Sequence, residues 1–174
     1  MSEQITIAVT DDPALAGALA DLVNEVYETA ESGLWRNGAE RTTPAEMAAL
    51  IAAGEIVVAT RDGHLVGSVR LHDVADDGSE FGMLVAAPDQ RGTGVGRALL
   101  DFAERRSRER GRRTMQLELL LPRGWSHPNK EFLKDWYGRR GYRTVRVGRL
   151  DDDYPHLAPL LAVECDLEIR RKAL

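Results

Sequence analysis

The stretch Phe81-Gly82-Met83-Leu84-Val85-Ala86-Ala87-Pro88-Asp89-Gln90-Arg91-Gly92-Thr93-Gly94-Val95-Gly96 joins an apolar strand to a glycine-rich turn and then to a helix. Pro88 stops the strand. Beyond the turn Val95, Leu99, Phe102 and Ala103 recur at helical spacing, which predicts a helix from about Val95 to Arg110, ended by Gly111. Glycines let the backbone pass close to a ligand without Cβ obstruction, and the first free N–H groups of the helix point into the turn. Together they suit a phosphate. On their own these residues imply a phosphate-bearing ligand without saying which.

Upstream, Ile5 to Val9 alternates and is β-branched, a first strand. Asp11 or Asp12 can cap a helix with Pro13 at its first position, continued by the apolar face Leu15, Leu19, Leu22, Val23, Val26 and Tyr27. A polar loop from Ser32 to Thr43 carries Trp35, Arg36, Asn37, Glu40 and Arg41. Thr43-Pro44 opens a second helix, which Gly54 closes. Ile56–Thr60 and Leu65–Leu71 read as strands joined by the hairpin turn Asp62-Gly63. Downstream, Thr114 to Leu121 is a strand stopped by Pro122. Asn129 stands where it can cap a helix with the stripe Phe132, Leu133, Trp136 and Tyr137. Tyr142–Leu150 reads as a strand, Asp151–Pro155 as a loop and Leu160–Ile169 as the last strand. The order β-α-α-β-β-β-α-β-α-β-β predicts an α/β (α+β mixed) fold with one mixed sheet and helices on its faces.

Composition narrows the function. A length of 174 residues suits one domain with a core, and 43% hydrophobic with 29% charged residues is ordinary for a globular chain. A net charge of -5 argues against nucleic acid as a partner. The arginines at 105, 106, 108, 110, 112 and 113 cluster at a helix C-terminus, where cations favour the dipole. The single cysteine, Cys165, excludes an intrachain disulfide and reads as a buried thiol. No secretory signal or membrane-length apolar run is visible, so the expected location is cytoplasmic. No cluster of His, Cys and carboxylates calls for a metal.

A dinucleotide fold would carry G-x-G-x-x-G after its first strand, and a nucleotide P-loop needs Gly-Lys before Ser or Thr. This turn is G-x-G-x-G, lies mid-chain, and has neither. Arg91 heads it as R-x-x-G-x-G, with Pro88 just before. That arrangement resembles the acyl-CoA signature of the GNAT superfamily of N-acetyltransferases. Trp136-Tyr137-Gly138-Arg139-Arg140-Gly141-Tyr142 likewise resembles the family's aromatic–Tyr–three residues–Gly–aromatic pattern.

The resemblance implies one acetyltransferase domain over residues 1–174, a mostly antiparallel sheet flanked by helices, and acetyl-CoA as co-substrate. It implies transfer of the acetyl group to a primary amine of a small molecule or an exposed peptide, in a ternary complex. Main-chain groups of Leu84, Val85 and Ala86 would hold the pantetheine arm, with an amide at Leu84 or Val85 as oxyanion donor. Amides of Gly92, Thr93, Gly94, Val95 and Gly96 would hold the pyrophosphate, and Arg91 and Arg97 would add charge. Asn129, eight residues before Tyr137, stands close to where the family often has a cofactor-holding Asn. Tyr137 would protonate the leaving thiolate. Glu118, which interrupts an apolar strand, is a candidate base, with Glu80 its rival; His127 is a further one. Trp35, Arg36 and His127 are candidate walls for the acceptor, as is the acidic run Asp151–Asp153. A homodimer is compatible with the resemblance. A non-catalytic acyl-CoA sensor on the same fold is the competing reading, and a dinucleotide enzyme a more distant one.

Overall fold

A computed structural model describes residues 4–174. Strand β1 (Ile5–Val9) is followed by a 3-10 turn, Pro13–Leu15, and helix α1 (Ala16–Ala30). Asp12 caps that turn, its Oδ1 accepting from Ala14 N at 2.9 Å. Helix α2 (Pro44–Ala52) starts at Thr43, whose hydroxyl accepts from Glu46 N at 3.1 Å. Then come β2 (Ile56–Arg61), β3 (His64–Val74), β4 (Gly78–Ala86), α3 (Val95–Glu109), β5 (Thr114–Pro122), α4 (Pro128–Arg139), β6 (Arg143–Arg149), a helical turn α5 (Leu150–Asp153) and β7 (Cys165–Ala173).

The predicted order of strands and main helices holds, with one short helix, α5, added between β6 and β7. The strands hydrogen-bond in the order β1-β2-β3-β4-β5-β7-β6, and the pairings β1–β2, β2–β3, β3–β4 and β6–β7 are antiparallel. The Asp-Gly hairpin is made as the sequence asks, with Asp62 at φ 50° and Gly63 at φ 79°. Among the described residues no helix is long and apolar enough to cross a membrane.

The chain forms two compact units. The first comprises residues up to Val26, Glu40–Met115 and Leu174; the second comprises Tyr27–Ala39 and Gln116–Ala173. In the first, α3 packs across β1 to β4, and Val95, Leu99, Leu100 and Ala103 are its buried stripe. In the second, Leu34, Leu120, Leu150, Cys165 and Leu167 form a core, with Trp35, Tyr154, Leu157, Leu161 and Val163 packed against it.

Three local expectations are corrected. The last strand is Cys165–Ala173, not Leu160–Ile169, because Ala158–Leu160 winds into a 3-10 turn around Pro159. Leu161 and Val163 of the apolar run pack on the core while its backbone ties to the Leu34 segment, Ala162 N donating to Leu34 O at 2.8 Å. Asp151–Asp153 is the body of α5, an acidic first turn that suits the helix dipole. Asn129 does not cap α4: His127 is the N-cap residue and Pro128 takes the first helical position.

Candidate active site

In the first unit, β4 carries a bulge. Ser68 faces Val85 and Arg70 faces Gly82, so Val69 alone opposes both Met83 and Leu84. Met83 absorbs the extra residue at φ 49°, a left-handed conformation unusual for a buried side chain with a Cβ. The ladder is thereby broken at Met83 and Leu84, and Leu84 is one of the two positions where sequence placed the oxyanion donor. Nothing in the residue pattern announced the bulge; Met83 looks like any apolar strand residue.

After β4, Ala87 N donates to Val66 O at 2.8 Å, and Pro88–Gln90 make a short 3-10 turn. Thr93 folds back on this turn, with its hydroxyl 2.7 Å and its amide 3.2 Å from Gln90 O. The Thr93 amide is therefore engaged in shaping the turn, unlike the others assigned to pyrophosphate, which make no such bond among the described residues. Gly94, at φ 87°, is the N-cap of α3 and offers no side chain to the first amides. A Cβ built on Gly92, Gly94 or Gly96 would meet nothing within 4 Å. Arg91 and Arg97 are exposed and make no ion pair among the described residues. A cradle with open amides, no cap and two nearby cations suits a diphosphate.

Gly67 is a position that sequence reasoning missed. A Cβ there would lie 2.7 Å from Val85 O and 2.7 Å from Val95 Cγ1. Its bare backbone is what lets α3 seat against β3 and β4. Glu80 lies opposite His72 across the β3–β4 pair, with 3.7 Å between carboxylate and Nε2. Burial, and then Arg70, hold His72 below its ordinary pKa.

In the second unit, the aromatic–Tyr–x3–Gly–aromatic segment is the C-terminus of α4. Tyr142 N donates to Tyr137 O at 3.0 Å and Gly141 N to Gly138 O at 3.1 Å, with Gly141 at φ 99°. This is a Schellman cap, completed by an edge-on contact of the Tyr137 and Tyr142 rings at 6.1 Å. The glycine is needed for the left-handed turn, and the two tyrosines lock together across it. Tyr137 is buried, and that burial raises its phenol well above the ordinary range, with Tyr27 adding and Arg140 opposing. It therefore stays protonated, the form a proton donor needs.

Glu118 is half-buried between Leu117 and Leu119, and both its oxygens accept from the Tyr154 hydroxyl, at 2.7 and 2.9 Å. The residues read as acceptor walls, and Asn129, expected at the cofactor, take up anchoring contacts. Trp35 Nε1 donates to Glu31 at 3.1 Å, His127 Nε2 meets Ser32 O at 3.0 Å, and Asn129 Nδ2 donates to Ala30 O at 3.1 Å. Arg36 is exposed, and its amide donates to Leu160 O at 2.8 Å. The strongest tie is one the sequence did not signal: Lys130 Nζ lies 2.5 Å from Glu31 Oε2, both side chains almost fully buried. Cys165 is buried as expected; burial and then Glu31 push its thiol up to about 11, so it is no nucleophile at neutral pH.

The acetyltransferase (GNAT) domain family model matches residues 52–144, more than half of the chain. The chain belongs to the GNAT acetyltransferase family. The matched span takes in both the glycine turn and the Tyr137 cap. No curated protein matches the sequence of this GNAT member. Among solved structures it is similar to the PaiA N-acetyltransferase of Thermoplasma acidophilum, in complex with coenzyme A, at 16% identity and TM-score 0.73 over 98% of this chain and 99% of that one. It is similar to a ribosomal-protein-alanine N-acetyltransferase of Brucella melitensis at 18% identity and TM-score 0.68, over 98% and 99% of the two chains. The third is the N-acetylglutamate synthase of Neisseria gonorrhoeae, complexed with coenzyme A and N-acetyl-glutamate. There the identity is 19% and the TM-score 0.68, and all of this chain spans only 36% of that protein. At such identities the likeness speaks for the fold.

Proposed function

We propose that this GNAT protein transfers the acetyl group of acetyl-CoA to a primary amine, of a small molecule or of an exposed peptide. The observation that carries the reading is the glycine-opened start of α3, which has no side-chain cap and follows the bulged strand through one 3-10 turn. Two of the similar structures were solved with coenzyme A, which supports the same co-substrate here. The amides of Gly94, Val95 and Gly96, with Arg91 and Arg97, would hold the pyrophosphate. Main-chain groups of Leu84, Val85 and Ala86 would hold the pantetheine arm.

The amine must lose a proton before it can attack, since an alkyl ammonium has no lone pair. Glu118 accepts that proton. The nitrogen lone pair then forms the C–N bond, and a Leu84 or Val85 amide steadies the oxyanion. As the C–S bond breaks, Tyr137 gives its proton to the thiolate and regains one as the new amide sheds its second N–H proton. The sum is ammonium plus thioester going to amide, free thiol and one proton released from Glu118 to solvent.

The test is release of free thiol from acetyl-CoA against an amine panel, run beside Tyr137→Phe. The expected result is turnover of at least one amine, with kcat lower by about 100-fold in the variant, the scale of a lost acid. A variant as fast as the wild type removes Tyr137 from the chemistry. Thermal stabilisation by acetyl-CoA with no amine turned over supports the sensor reading instead.

A further inference from the structure

We infer that Tyr154 is the positioning residue for the Glu118 carboxylate, an inference that rests on acetyl transfer with Glu118 as base. A base needs proton affinity, and a neighbouring cation lowers it. In the second unit Glu31, Asp151, Asp153, Asp166 and Glu168 each sit beside a lysine or arginine. Glu118 is half-buried and pairs with no cation among the described residues; its partner is a neutral phenol.

That phenol is itself fixed. The Tyr154 ring packs against the core of Leu34, Leu120 and Leu150. Its amide donates to Leu150 O at 2.7 Å, its carbonyl accepts from Leu157 N at 3.0 Å, and Pro155 restricts the chain beyond it. A free glutamate samples many rotamers, whereas one hydroxyl shared between both oxygens selects one. A carboxylate offers about four lone-pair positions and the shared hydroxyl uses at most two, so room remains for a proton from the ammonium or from a relaying water. Tyr154 keeps its own proton throughout; the only bond made at Glu118 is the O–H it gains.

A double-mutant cycle on the full chain tests this with acetyl-CoA and the best amine of the panel. Glu118→Gln is expected to lower kcat by about 100-fold. Tyr154→Phe, which keeps the ring in the core, should lower it on the order of 10-fold, the value of one hydrogen bond to a charged group, with KM for acetyl-CoA unchanged. In the Glu118→Gln background Tyr154→Phe should cost nothing more. Glu118→Asp withdraws the carboxylate from an intact Tyr154 and should match Tyr154→Phe, which keeps the test open if the latter folds poorly. Independent, multiplying losses, or a change in KM alone, overturn the role of Tyr154 and leave acetyl transfer standing. A wild type that turns over no amine overturns the underlying reading, and this inference with it.

Discussion

The N-termini of α3 and α4 are built on opposite plans. At α3 the chain supplies glycines: Gly94 caps without a side chain, and the flanking Arg91 and Arg97 stay exposed. At α4 it supplies side chains that reach away to residues 30–32. His127 binds Ser32 O, Asn129 binds Ala30 O, and Lys130 pairs with Glu31. Both starts have the same dipole and the same orphan amides. What separates a ligand cradle from a structural rivet is whether neighbouring residues are used to hold protein or are left small. Asn129, which stands close to the place of a cofactor-holding Asn in the sequence, makes its side-chain hydrogen bond within the rivet.

The largest consequence should come from breaking the rivet. Lys130→Met leaves the Glu31 carboxylate buried without its cation, which costs about 3–5 kcal/mol. Urea unfolding should show that loss as a lower midpoint, and Glu31→Gln added to Lys130→Met should restore much of it. Coenzyme A affinity of the protein still folded should stay within about 2-fold, because neither Lys130 nor Glu31 belongs to the α3 cradle. A loss below about 1 kcal/mol would mean that the ion pair is a surface-like contact and the contrast with α3 is overdrawn.

The α3 side can be tested with two glycines of opposite expectation. Gly67→Val places branched carbon where even a Cβ would be 2.7 Å from Val85 O, a backbone atom that cannot rotate away. The expected loss is about 1–3 kcal/mol, together with weaker coenzyme A binding, since Val85 and Val95 must part. Gly96→Ala meets no atom within 4 Å and removes a helix glycine. It should raise stability by about 0.5–1 kcal/mol while weakening coenzyme A through the methyl it adds to the cradle. If Gly96→Ala binds coenzyme A as well as the wild type, the pyrophosphate does not approach that backbone.

This contrast also explains what the sequence could disclose. The α3 cradle was legible because its function needs residues that are rare elsewhere: glycine at fixed spacing, an arginine, a proline. The Tyr137 cap was legible for the same reason, its Gly141 being required by backbone geometry. The element order followed from apolar periodicity and from Asp62-Gly63, Thr43-Pro44 and Gly54. The rivet was invisible because Glu31 and Lys130 lie 99 residues apart and each looks like a surface charge. Tyr154 was hidden in what read as a loop. The bulge at Met83 arises from strand pairing, which no local pattern encodes. The misplaced last strand shows the converse error, an apolar run in which Leu161 and Val163 pack on the core although the backbone is not in a named strand.

The smallest effect concerns a candidate charged tie in the first unit, His72 opposite Glu80. Arg70, Glu55 and Asp73 also act on this imidazole, Arg70 against its charged form and the two acids for it. Burial is the largest influence, and it lowers the folded pKa below the ordinary 6.5. Below about pH 6.5 the unfolded chain therefore binds more protons than the folded one. The contribution of His72 to stability is full above that pH and is lost as pH falls through the folded value. Subtracting the unfolding free energies of His72→Gln from those of the wild type across pH 5 to 8 isolates it from the carboxylates, and the difference should fall toward acid. A difference that instead grows toward acid would mean that Glu80 holds a charged His72, making this pair a second rivet. Glu80 would then be committed to a cation, as Glu31 is, and would be a poorer base than Glu118.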